Sequence, residues 1–160
     1  MVVAIIAVLA AVVVPNFIRE SARGKYDPEV RAMFTEIGVK EEQYKSELGN
    51  GLYLPATQCT TSPTPTGYDF GATCITSGSP WETLRIISTD ATIRCTYEID
   101  VGPGGSVPTM PTGFTGPPAT FIAPWYYVLA TCDMDGQGGT YSTFLSASWD
   151  TSVQKYNYGS

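Results

Sequence analysis

From Met1 to Val14 no polar or charged side chain interrupts the chain: MVVAIIAVLAAVVV, then Pro15. At Asn16 the pattern changes. Phe17, Ile18, Ala22 and Tyr26 continue one apolar face, and Val30, Met33, Phe34, Ile37, Tyr44 and Leu48 recur at three-, four- and seven-residue steps. That spacing predicts an amphipathic helix packed on a sheet. Arg31, Glu36, Lys40, Glu41, Glu42 and Lys45 fill the opposite face and offer i,i+4 ion pairs. Asp27-Pro28 reads as an N-cap followed by a first-turn proline, so a kink or a fresh helix start is expected at Pro28. Gly49-Asn50-Gly51 ends the helix.

After the helix the periodicity fades. Leu52 to Pro80 holds Thr60-Thr61-Ser62-Pro63-Thr64-Pro65-Thr66-Gly67 between Cys59 and Cys74. This stretch reads as a solvated loop that needs a staple, with Thr and Ser positions suited to O-glycans. Four strands are then expected, at Glu82–Ile87, Thr92–Val101, Trp125–Asp133 and Thr140–Trp149. The second alternates Ile93, Cys95, Tyr97 and Ile99 on one face. Short turns make an antiparallel meander. Gly102 to Pro124 is dense in Gly and Pro and reads as a long exposed loop between the second and third strands. The predicted class is α+β, with a long N-terminal helix over a four-stranded antiparallel meander. It divides into a hydrophobic stem, 1–26, and a globular head, 27–160. The head comprises the amphipathic helix 27–48, a stapled loop 49–80, the sheet 81–150 and a tail 151–160.

Composition narrows the chemistry. The chain has no histidine, so the commonest general base and metal ligand are missing and no Ser/His/Asp or Cys/His set exists. An enzyme is not expected. Six of the nine basic residues lie between Arg19 and Lys45, and the net charge is −6. From Asn50 onward acidic residues dominate, and no nucleic-acid site is evident. Four cysteines without a Cys-x-x-Cys pair, in a Thr/Ser/Gly/Pro-rich background, point to disulfides rather than zinc. Cys95 and Cys132 fall on strands that a meander sets side by side. This favours Cys59–Cys74 with Cys95–Cys132 over the other two connectivities.

Asp133-Met134-Asp135-Gly136-Gln137-Gly138 matches the opening of a calcium loop, with oxygen ligands at Asp133, Asp135 and Gln137 and a glycine at the sixth place. The twelfth place is Phe144 where a bidentate Glu is needed. Two readings stay open: weak calcium binding, or a Gly-rich hairpin whose Asp side chains accept bonds from turn amides. No other cofactor is expected.

The apolar run has three readings of its own: signal-peptide core, membrane helix or buried core helix. No basic segment precedes it and no small-residue cleavage site follows it. It is short for a bilayer, which takes roughly 20 apolar residues, and it looks like a span whose beginning is missing. Met1 to Ala11 followed by Pro15-Asn16-Phe17 resembles the N-terminal helix of bacterial type IV pilins and type II secretion pseudopilins. In that family an N-methylated Phe and a Thr-Leu-Ile-Glu-Leu-type stretch come first; neither is present here. The match covers about fifteen positions of this chain, and the head shares only layout and local patterns.

The resemblance implies a type IVa-like major pilin. Val2, Val3, Ile5, Ile6, Val8, Leu9, Val12, Val13, Val14 and Phe17 would serve first as membrane anchor and then as filament core. Partners would be other copies of the chain, the assembly machinery of the inner membrane, and host or abiotic surfaces. The subunit would rest in the inner membrane and end in an extracellular filament for adhesion, twitching motility or DNA uptake. The alternative is a type II secretion pseudopilin, or a minor or tip pilin acting as an adhesin. One expectation concerns Ala7 to Pro15. Three β-branched valines precede a proline that removes a donor and crowds the Ala11 carbonyl. Helix is expected to hold there in lipid and to give way on polymerisation.

Overall fold

The structure, a computed structural model, describes residues 2–117 and 121–159, with side chains from residue 24 onward. The chain is α+β, as its pattern predicts. Helix α1, Val2–Glu47, leads into two short helices, α2 (Phe70–Cys74) and α3 (Pro80–Leu84). Four strands follow: β1 (Thr96–Gly102), β2 (Trp125–Cys132), β3 (Ser142–Ala147) and β4 (Asp150–Tyr156). They form one antiparallel sheet in the order β1-β2-β3-β4, a meander. Ile99 pairs with Val128, and Leu129 with Leu145.

The helix buries one stripe against this sheet. Tyr26, Val30, Met33, Phe34 and Ile37 are buried at the predicted spacing. They meet Cys95, Tyr97, Ile99, Val128, Ala130 and Phe144 in the main core. Phe34 and Tyr97 pack edge to face at 6.3 Å. Leu48, read as part of the stripe, is exposed because the helix has already ended. Gly49 sits against the Leu52 carbonyl, which a Cβ would approach to 2.1 Å, and Asn50 and Gly51 take positive φ. Only glycine fits that first position.

Three expectations need correction. Glu82–Ile87 is not a strand. Ser79 caps α3 by accepting from the Glu82 amide, Pro80 takes the first turn, and the Glu82 carboxylate accepts from Gly78 N–H. This is close to a capping box, and it outweighs the β-branched residues that follow. The fourth strand is Asp150–Tyr156, placed in the tail by sequence. As an edge strand it is mostly exposed on both faces, so it carries no apolar alternation to detect. Of the kink or fresh helix start expected at Pro28, the fresh start is absent: α1 is one helix from Val2 to Glu47. Asp27 therefore caps nothing. Its carboxylate pairs with Lys155 of β4 at 2.6 Å, tying the sheet edge to the helix.

The long segment after β1 also departs from expectation. It folds across the outer face of the sheet, where Met110, Phe114 and Phe121 pack on Trp125, Tyr127, Leu145 and Ala147. A second apolar cluster thus covers the face that α1 leaves open. The Trp125 indole donates to Ser106 Oγ at 2.8 Å, and Gln154 accepts from Thr115 N–H at 3.0 Å. The stapled stretch 49–80 likewise contributes Tyr53, Ala56, Phe70 and Cys74 to the main core, while Thr61, Ser62, Pro65 and Thr66 stay exposed.

Candidate functional site

The candidate site is α1 together with the groups that fasten it to the head. Two buried acids on the helix add polar ties to the apolar packing. Glu29 is 3% exposed. Its Oε1 accepts from the Arg94 amide at 2.8 Å and the Cys95 amide at 3.0 Å, and from the Tyr97 hydroxyl at 3.4 Å. Its Oε2 meets the Arg94 guanidinium at 3.3 Å. Burial pushes this carboxyl above its ordinary value, against the opposing pull of the Arg94 and Cys95 amides and the Arg94 charge. One helical side chain thereby orders the chain just before β1, where no ladder bond is available.

Three turns on, Glu41 is fully buried. It belongs to the inward stripe, four residues after Ile37, and not to the charged face assigned from sequence. Its Oε2 accepts from Leu54 N–H at 3.0 Å, while Oε1 has no partner. Burial raises its carboxyl to about 7. Beside it, the Tyr53 hydroxyl donates to Glu42 and accepts from Lys45, both at hydrogen-bond distance. Burial also raises Tyr126 on β2 to about 12. Sequence reasoning missed both buried acids. A charged residue among charged residues looks solvated, and the signal that places Glu41 is its i+4 relation to Ile37. Among the described residues of the outward face, Glu36 and Lys40 form an i,i+4 pair at 4.0 Å.

The two disulfides are Cys59–Cys74 and Cys95–Cys132, the pairing expected. The first closes the stretch that leads into α2. The second ties the residue just before β1 to the last residue of β2, with Cα atoms 4.4 Å apart. Together they mark the chain as extracytoplasmic.

In the turn after β2, Asp133 Oδ1 accepts from Gly136 N–H at 2.8 Å and Asp135 Oδ1 from Gln137 N–H at 3.0 Å. Gly136, Gly138 and Gly139 all take positive φ, which glycine adopts without a Cβ penalty. The Tyr26 hydroxyl donates to the Asp133 carbonyl at 2.8 Å, locking the turn to α1. Burial pushes the Asp133 carboxyl up, opposed by the Gly136 amide. Gln137 is exposed. Among the described residues no three His, Cys, Asp or Glu side chains converge as a metal cage.

A groove of about 600 Å³ runs between α1 and the β3–β4 side of the sheet. Phe34, Gly38, Tyr126 and Val153 line its apolar part, with Arg31 and Glu42 among the polar groups. Gly38 keeps it open, since a Cβ there would come within 3.0 Å of the Tyr126 hydroxyl oxygen.

Val2, Val3, Ile5, Ile6, Val8, Leu9, Val12, Val13, Val14 and Phe17 lie on α1, and their side chains fall outside the described residues, as do those of Ala7 and Pro15. Among the described residues no helix is long and apolar enough to cross a membrane. No protein-family model matches the chain, and no curated protein or solved structure matches it.

Proposed function

We propose that this chain is the structural subunit of a helical surface filament of the type IV pilus kind, polymerising through the N-terminal half of α1. The observation that carries this reading is the disproportion between helix and head. The 46 residues of α1 extend about 69 Å at 1.5 Å per residue. The strands have six to eight residues, roughly 20–27 Å each. A strand of that length spans less than half of α1, and Tyr26, Val30, Met33, Phe34 and Ile37 of its second half pack on the sheet. The first half is, by sequence, the most apolar stretch of the chain, a composition suited to cover from lipid or from other copies.

Before assembly, lipid would supply that cover; in the filament, neighbouring stems would, at roughly 25 cal/mol per Å² of apolar surface removed from water. A head-to-tail arrangement of identical subunits gives an open helix rather than a closed ring. The sequence resemblance to pilins supports the same assignment, as do the two disulfides of the head. Adhesion, twitching motility and DNA uptake are roles that such a filament would serve, with the inner-membrane machinery and outside surfaces as its partners.

The test is electron microscopy of sheared surface filaments. Density for this chain is expected at every helical position, with extended backbone within Ala7–Pro15. Finding it only at filament ends would replace the major-subunit reading with that of a minor or tip subunit.

A further inference from the structure

Glu41 stands out among the buried groups because nothing balances it. Glu29 has a guanidinium and three other donors; Glu41 has one amide. Its side chain is fully buried, Oε2 takes Leu54 N–H, and Oε1 is enclosed without a partner. The charged and titratable groups around it can be enumerated by element. On α1 itself, Glu42 adds a like charge, and Lys45 is committed to the Tyr53 hydroxyl at 2.9 Å. On the following segment, Tyr53 is the one ionisable side chain between Gly49 and Gly67 apart from the disulfide-bonded Cys59. On β2, Tyr126 faces it as a neutral phenol at ordinary pH. On β1, Glu98 is bonded to Gln58 at 3.1 Å, with Asp100 nearby, so the other acids facing the segment carry no compensating cation either.

We propose that Glu41 is a proton-binding latch: protonated, it holds the segment after α1 against the helix, and its ionisation releases that segment. The segment is poised for this. It leaves the helix through Asn50 and Gly51 at positive φ and bonds to Glu41 through Leu54. It then joins the outer edge of β1 through the Ala56–Ile99 pair. A neutral carboxylic acid is tolerated in this site, whereas a carboxylate held by one amide and no cation recovers only part of its desolvation cost. The enclosure and the like charge of Glu42 push the carboxyl from the ordinary 4.5 up to about 7, against the pull of the Leu54 amide. A group whose folded value is raised contributes its stability fully in acid. That contribution is lost as pH climbs from about 4.5 through about 7. The latch is therefore closed below neutrality and loosened above it.

The test is hydrogen exchange at the Leu54 amide of the full chain in mild detergent, corrected for the intrinsic pH dependence of exchange. Opening that solvates Glu41 should become roughly 30-fold more frequent between about pH 5.5 and about pH 8. Glu41→Gln should flatten that response, and Glu98→Gln should leave it as in the parent chain. A flat response in the parent chain, or an undiminished one in Glu41→Gln, overturns the proposal. Should Glu41→Gln fail to fold, the Glu41 carboxyl carbon shift in the parent chain decides: a midpoint near 7 supports the latch, and one at the ordinary 4.5 overturns it.

Discussion

Replacing Glu29 with alanine should be among the most damaging single changes in the head. The carboxylate accepts from two amides, a buried hydroxyl and a guanidinium, all on the segment 94–97. Alanine leaves the Cys95 amide and the Tyr97 hydroxyl enclosed without an acceptor, since both residues are buried. Each such group costs about 1–3 kcal/mol. Arg94 is partly exposed and regains water, so its share is smaller. Removing the acid also relieves its own desolvation, which works in the opposite direction. The balance is a loss of about 3–5 kcal/mol, the range for breaking a buried pair by deleting one partner. At roughly 2–4 °C per kcal/mol for a chain of this size, melting should fall by about 10 °C. Glu29→Gln keeps an acceptor for the amides and should lose about a third as much. Urea unfolding of the full chain in detergent, followed by the fluorescence of Trp81, Trp125 and Trp149, measures the difference. A loss below about 1 kcal/mol for Glu29→Ala would refute the idea that this carboxylate organises the entry to β1.

Two further outcomes follow from the same geometry. Gly102→Ala places a Cβ about 2.2 Å from the Trp125 ring, so the indole must leave its seat on the outer face. A loss of about 1–3 kcal/mol is expected, with an altered Trp fluorescence maximum as the independent sign of displacement. For the Asp133 turn, calcium at millimolar concentration should leave the melting temperature unchanged, because both Asp133 and Asp135 already accept bonds from turn amides. A rise that is lost in Asp135→Asn would restore the weak-calcium reading.

Sequence by itself determined the architecture: one helix with a 3.6-residue stripe, alternating strands, and cysteines on neighbouring strands. These follow from short-range periodicity, and the buried Tyr26, Val30, Met33, Phe34 and Ile37 fall on the stripe it predicts. The start of α3 was not read: the β-branched neighbours pointed to a strand at Glu82–Ile87, and the capping pair Ser79 and Glu82 makes a helix there instead. Only the tertiary structure decided what happens where pattern is weak. The edge strand β4 is exposed on both faces and leaves no alternation to read. The Pro/Gly-rich segment after β1 looks solvated until Phe114 and Phe121 are seen to cover the outer face of the sheet. Glu29 and Glu41 look like surface charges because their partners, Arg94, Cys95 and Leu54, lie 13 or more residues away in the chain. Burial of a polar group depends on where distant donors arrive, and no local window of sequence records that.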